Sequence, residues 1–269
     1  MKNGKSMPSS SFAQSTFVRF LRKKAVQRTG AVLLALLLWQ GVAMWLSDEL
    51  ILVSPVKVLL RLGTIWMEEG FFARIGFSLA RVSGGFFLAF VVGVLLAALA
   101  GRFPLVEILL FPYMAVVKAV PVVSFIVLAY VWMSSRTVVM FISFLIVLPT
   151  VYTGLLSGIR AHDKKMDEMA DVFRISPVRR FFFVRLPSLA PHIMSSVSLG
   201  AGLAFKSGIA AEIIAVPADS MGEAMYYASL WLQNVDLFTW TVVLLLLSIL
   251  FEKILSLLLK LGFRRLWRI

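Results

Sequence analysis

The side chains that most often carry chemistry are few in this chain, and their spacing excludes most reactions. Cysteine is absent, so a thiolate nucleophile, a disulfide framework and a cysteine metal site are all excluded. His162 and His192 stand thirty residues apart with no HExxH pattern or carboxylate cluster beside them, and no metal site is expected. Phe205-Lys206-Ser207 lacks the glycines of a GxxxxGK[ST] loop, so the chain is expected to hydrolyse no ATP itself. Ser195, Ser196 and Ser198 have no histidine with a reason to approach them, and they read as helix-packing residues. What remains is charge set in apolar sequence. Lys206 and Glu212 lie within one long apolar stretch, where a charge is costly and marks a cavity or a partner. Three roles stay open for Lys206: attracting an anion in a conduit, pairing with Glu212 or Glu252 through another helix, or packing in a bundle interior. Six residues of separation place Lys206 and Glu212 on different helix faces.

The largest polar feature is Glu168 to Pro191, EMADVFRISPVRRFFFVRLPSLAP, lying between long apolar segments. Gly158 to Phe173 sets Ile159, Met166, Met169, Ala170 and Phe173 at three-to-four-residue spacing, which predicts an amphipathic helix. Ser176-Pro177 predicts a second start, because serine caps the exposed N–H groups and proline at the first position loses no hydrogen bond. This second helix is expected over Val178 to Val184, broken near Pro187 and Pro191.

The elements that must position these residues are membrane spans. Apolar residues make up 60% of 269 positions and charged residues 15%, with a mean hydropathy of +0.90; a soluble domain holds roughly 45–50% and 25%. A helix needs about 20 apolar residues to cross the bilayer core. Six stretches qualify: Thr29 to Leu46, Gly84 to Gly101, Val116 to Met133 with Lys118 and Pro121 near its start, Thr137 to Leu156, Pro191 to Val216, and Leu237 to Leu259. The third is expected to be kinked at Pro121 or to begin obliquely. Basic residues before Thr29 precede an apolar run with no small-x-small site after Leu46, which predicts an uncleaved first span. The opening tail with Ser9, Ser10, Ser11 and Ser15 is expected to be mobile. Pro55 to Arg81 carries Val58, Leu59, Leu62, Ile65 and Trp66 at helical spacing, predicting one or two amphipathic helices on the membrane face.

Charge then sets orientation. Twenty Lys and Arg flank one side of these spans against five, Lys57, Arg61, Arg74, Arg81 and Arg136, on the other, which predicts both termini and the Glu168 loop in the cytoplasm. The net charge of +13 is thus a topology signal, and no nucleic-acid partner is expected. The fifth span carries Ser196, Gly200, Ala204, Gly208 and Glu212 at four-residue spacing, a stripe that permits close helix approach within the chain or against a second copy. The acidic segment Ala218 to Asp236, with Asp219 and Glu223, faces outward, either solvated or touching a partner protein.

At the loop the sequence resembles the membrane subunits of bacterial ATP-binding-cassette importers. Glu168, Ala170, a turn at Arg174, then Val184, Leu186 and Pro187, with 19 residues from Glu168 to Pro187, are similar to that family's EAA loop. RVSGGFFLAFVVGVLLA, KAVPVVSFIVLAYVWM and GIAAEIIAVPADSMGEAMYYA extend the resemblance over residues 72 to 251, towards permeases for nitrate, sulfonate and taurine. The family usually has glycine where this chain has Arg174, because the turn favours a left-handed backbone. Either the turn differs here or Arg174 avoids that region; the residue is a solvated turn residue or presents a cation to a partner.

The resemblance implies an all-α type I permease of about six transmembrane helices, a plasma-membrane (inner-membrane), multi-pass subunit that is not itself an enzyme. Residues 1–28 form a basic tail, 29–71 the first span and outer segment, 72–256 the permease core with coupling loop 157–190, and 257–269 a second basic tail. Glu168 and Ala170 would contact a cytoplasmic ATPase subunit that binds ATP and Mg, while Leu186-Pro187 would set the re-entry into the fifth span. No cofactor is expected on this chain. An extracytoplasmic substrate-binding protein, a second permease copy and membrane lipid complete the expected partners. The expected solute is a small anion such as nitrate, sulfonate or taurine, with a heterocyclic vitamin precursor as the alternative. A secondary transporter would need a matched repeat, and a membrane enzyme a polar cluster at depth; neither pattern is found.

Overall fold

The computed structural model describes residues 24–266; Lys2 to Lys23, with the serine tail and five of the cations assigned to the first tail, and Arg268 lie outside the described residues. Every regular element among the described residues is helical. They run in the order α1 (Lys24–Leu46), α2 (Pro55–Leu62), a 3-10 turn (Ile65–Met67), α3 (Phe71–Arg102), α4 (Pro104–Ala119), α5 (Val122–Trp132), α6 (Ser135–Arg160), α7 (Lys164–Val172), α8 (Pro177–Arg180), a π-turn (Phe181–Arg185), α9 (Leu186–Ala215), α10 (Met221–Leu230) and α11 (Asn234–Leu266). Five stretches of helix are long and apolar enough to cross a membrane, and the bent pair α4–α5 makes a sixth if taken as one span.

The centre is α3, α6 and α9. Small residues let these three helices approach closely. A Cβ on Gly85 would lie 2.5 Å from the carbonyl oxygen of Met140, and one on Gly208 would lie 2.6 Å from both Ser143 Oγ and Val82 Cγ2. Ser143 Oγ donates to the carbonyl of Ala204 at 3.3 Å, so the close approach is sealed by a hydrogen bond between helices. Phe86, Ile142, Val147, Val151, Ala201 and Phe205 are buried around it. By contrast α1 and α11 leave Leu34, Leu37, Leu38, Leu245, Leu246, Leu250 and Leu257 exposed, as helices surrounded by lipid tails do.

Several boundaries differ from those read in the sequence. The second span begins at Phe71, thirteen residues before Gly84, and its 32 residues reach about 48 Å. Arg74 and Arg81 therefore sit in a helix, because nothing after Gly70, whose φ of 80° opens it, breaks the hydrogen-bond ladder before Phe103. The outer amphipathic segment shrinks to α2 and the 3-10 turn, with Ser54 Oγ accepting from the Lys57 N–H at the α2 start. The third span does not run straight from Val116. Pro121 offers no N–H and pushes Val120 into extended backbone (φ −81°, ψ 134°), and α4 and α5 meet at 104°. Only 11 residues follow in α5, about 16 Å of helix. Pro104 at the first position of α4, with Glu107 in its first turn, is the start signal for a helix that lies mostly between the second and third stretches read in the sequence.

The loop differs too. Gly158 to Phe173 is not one helix: α6 continues to Arg160, and a new helix starts at Lys164 because Asp163 caps it, its Oδ1 accepting from the Lys165 N–H at 2.9 Å. Nor is the chain broken at Pro187 or Pro191. The π-turn, in which Leu186 N–H bonds the Phe181 carbonyl, shifts the ladder by one residue just before Pro187. That proline then falls in the first turn of α9, where a missing N–H costs least. Within the acidic segment 218–236, α10 is started by Ser220, whose Oγ accepts from Glu223 N–H at 3.0 Å while Glu223 Oε2 accepts from Asp219 N–H at 2.7 Å. This resembles a capping box with its return bond moved one residue back, to Asp219 instead of the cap residue Ser220, and its Ser-x-x-Glu spacing is visible in the sequence.

Candidate functional site

The loop between α6 and α9 forms a handle at one end of the bundle. Ala170 is fully buried, while Val172 is 79% and Phe173 71% exposed. Glu168, Met169 and Arg174 are exposed as well. A nine-residue helix has too little propensity to persist alone, so its position comes from contacts with α8 and α9.

Those contacts are ionic. Arg185, at the end of the π-turn, donates to Asp167 through Nη2 at 3.2 Å and Nε at 3.3 Å. Arg180 pairs with Asp171. His162 Nδ1 lies 3.0 Å from Ser188 Oγ, and its Nε2 approaches Asp167 at 3.4 Å in ion-pair rather than hydrogen-bond geometry. The hydrogen bonds from Arg185 hold the Asp167 carboxyl below its usual range, against a smaller opposing effect of burial. Arg160 pairs with Glu107, which ties the end of α6 to α4. Only His162 among these partners was singled out in the sequence, and then as a histidine without a metal-site pattern, since ion pairs between loop helices leave no short-range spacing to read.

The turn after α7 is settled by two hydrogen bonds. Ile175 N–H bonds the Ala170 carbonyl at 2.9 Å and Arg174 N–H bonds that of Asp171 at 3.0 Å, the paired pattern of a Schellman motif. Arg174 itself takes φ 51°. Of the two alternatives posed by the sequence, the residue accepts the left-handed backbone that glycine would occupy without steric cost.

Val184 is buried, and Leu186 and Pro187 are half-buried on the path into α9. Ser196, Gly200, Ala204 and Gly208 face α6 and α3 of the same chain. Glu212 is fully buried; its Oε2 accepts from Ser78 Oγ at 2.7 Å and from Gly222 N–H at 3.0 Å. Ser78 Oγ in turn accepts from Met221 N–H at 2.9 Å, so this carboxylate joins α3, α9 and the start of α10. Ser78 and Gly222 had no signal in the sequence. Glu252 accepts from Ser198. Lys206 pairs with neither Glu212 nor Glu252 and is exposed, so it does not pack in the interior of this bundle. It shares its open stripe of α9 with Ser195 and Leu199, and a Cβ on Gly202, one turn earlier, would meet nothing within 4 Å.

A bundle of apolar helices long enough to cross a membrane, with one two-helix polar loop pinned beside it by ion pairs, defines a multi-pass membrane protein. The chain belongs to the family of binding-protein-dependent transport system inner membrane components, whose profile matches residues 89–268. It is similar to the taurine transport system permease protein of Escherichia coli, 26% identical over 202 residues, 72% of this chain and 74% of the relative. The bicarbonate transport system permease protein of Synechocystis is 28% identical over 149 residues, 55% of this chain and 53% of the relative; the matched region thus spans about half of that protein. The formylaminopyrimidine transport permease protein of Halalkalibacterium halodurans is 25% identical over 189 residues, 67% of this chain and 72% of the relative. The resemblance drawn from the Glu168–Pro187 loop therefore holds at the level of the family and of its importer-permease branch.

Proposed function

We propose that the chain is the membrane subunit of an ATP-driven importer for a small anion, working as a pair with two cytoplasmic ATPase subunits and an extracytoplasmic binding protein. The observation that carries this reading is the handle. α7 turns Glu168, Met169 and Phe173 outward and is fastened to the root of α9 by the Asp167–Arg185 pair. A partner that moves α7 moves α9. ATP and Mg belong to the partner, and this chain supplies no phosphate loop. The excess of Lys and Arg on the loop side of the spans supports a cytoplasmic loop and cytoplasmic termini.

Lys206 is the residue assigned to the solute path. It lies about 30 Å along α9 from Leu186, on an open stripe and without a counter-ion among the described residues. Such a lysine favours an anionic solute on a path between two copies. Glu212, closed in by Ser78 and Gly222, takes a supporting role beside that path instead of lining it. The relatives named for taurine and bicarbonate transport favour a solute that presents an anionic oxyacid group. The formylaminopyrimidine relative, matched over 72% of its length, favours a second reading, a heterocyclic solute.

Reconstitution with the partner ATPase tests both readings. Binding protein loaded with taurine or bicarbonate is expected to stimulate ATP hydrolysis, and Glu168→Arg to lower that stimulation while insertion stays normal. Stimulation only by a pyrimidine-loaded binding protein would select the second reading. Full stimulation with Glu168→Arg would remove that residue from the contact.

A further inference from the structure

At the end of the bundle opposite the handle, two arginines stand over one aromatic ring. Arg81, on α3, holds its guanidinium carbon 3.1 Å from the centroid of the Phe77 ring, and Arg136, in the first turn of α6, holds its own 5.6 Å from the same centroid. The ring's face attracts each cation, yet the two cations repel one another. Among the described residues neither has a carboxylate within ion-pair distance. Arg81 Nη1 is shut off from solvent with no hydrogen-bond partner.

Among the described residues the negative charge acting on Arg81 is that of Glu212, whose Oε2 is committed to Ser78 and Gly222 and whose Oε1, like Arg81 Nη1, is buried without a hydrogen-bond partner. That carboxylate acts on Arg81, and Arg136 brings a second cation to the same ring, which leaves an excess of positive charge. The depth sharpens the point. Arg81 lies ten residues, about 15 Å, from the first residue of α3, and α3 exceeds the hydrocarbon thickness by about 18 Å. With that overhang on the Phe71 side, the pair sits near the level where hydrocarbon gives way to head groups, where a cation without a partner is expensive.

We propose that Arg81 and Arg136 form a binding site for a singly charged oxyanion, with Phe77 as its floor. The guanidinium fork suits this ligand because its parallel N–H groups match two oxygens of a sulfonate, nitrate, bicarbonate or phosphodiester. A transported solute and a lipid head group present the same oxygens and the same charge. The assignment of a soluble occupant rests on the anion-importer reading; the site itself does not.

The test uses the full chain purified in a maltoside detergent, which carries no phosphate. Tryptophan fluorescence follows thermal unfolding at fixed ionic strength with methanesulfonate, nitrate or bicarbonate, each read against chloride, and separately with added phosphatidylglycerol. A soluble oxyanion at ten times its Kd is expected to raise the midpoint by ~3 °C, and Arg136→Gln, at an exposed position, to abolish the rise. Arg81→Gln is the second variant, expected to act in the same way. A rise given only by phosphatidylglycerol and lost in both variants keeps the site and assigns it to lipid. A rise that survives Arg136→Gln, or no rise with any probe, overturns the proposal. Because neither ATPase nor transport enters this assay, failure of the importer reading would show in the reconstituted system alone.

Discussion

Replacing Arg174 by glycine separates backbone strain from charge at the handle. A residue with a Cβ in the left-handed region, as Arg174 is at φ 51°, carries roughly 1–2 kcal/mol of steric cost. Glycine removes that cost but brings about 0.5–1 kcal/mol of extra chain entropy in the open state. The steric relief is the larger, so Arg174→Gly is expected to stabilise the turn by roughly 0.5–1 kcal/mol, a two- to five-fold fall in its opening. The Ile175 N–H, bonded to the Ala170 carbonyl at 2.9 Å, reports that opening directly by hydrogen exchange. In the full chain in detergent its exchange is expected to slow about two- to five-fold with Arg174→Gly. Arg174→Ala removes the same cation but keeps the Cβ, and should give no slowing. Equal slowing in both variants would show that the cation, and not the backbone, governs the turn; faster exchange with glycine would refute the strain itself.

The Asp167–Arg185 contact is two-pronged but half open to solvent on the arginine side, so a double-mutant cycle through Asp167→Arg, Arg185→Asp and their combination should give about 1 kcal/mol of coupling at most, with the combined variant recovering activity lost in each single one. The depressed Asp167 carboxyl makes this contribution complete above the ordinary carboxylate value near ~4 and lost as pH falls through the lower folded value, so the coupling should be flat from about pH 5 to 8; a change across neutrality would point to another group. Glu212→Ala leaves Gly222 N–H without its buried acceptor and should cost about 1–3 kcal/mol in thermal unfolding. Glu212→Gln keeps an oxygen there and should cost less, and equal losses would show that the two hydrogen bonds carry little.

Composition and hydropathy made the membrane class and most of the spans legible, because twenty apolar residues in a row leave few other folds. The Glu168–Pro187 loop was legible for a different reason: its caps and turn residues act locally. Even there the proline rule misled, since Pro187 marked not a break but the place where one wide turn absorbs a missing N–H. Gly158 to Phe173 looked periodic throughout, yet Asp163 restarted the helix by capping chemistry that periodicity does not register. Three roles stayed open for Lys206 in the sequence, and its exposure became apparent only once α3 and α6 were seen to cover the small-residue stripe. Pairings across the chain, such as Ser78 with Glu212 at a separation of 134 residues, have no local signature.

The unbroken run from Pro177 to Ala215 is 39 residues long, about 58 Å of continuous helix. In the proposed coupling such a rod serves as a lever. Its one irregular turn is the wide turn at Phe181–Arg185, close to where the handle is fastened, with a short arm on the loop side and a long arm in the apolar bundle. A tilt of about 10° at that fulcrum would sweep Lys206, some 30 Å away, through about 5 Å. That displacement needs no bending of a single turn of α9.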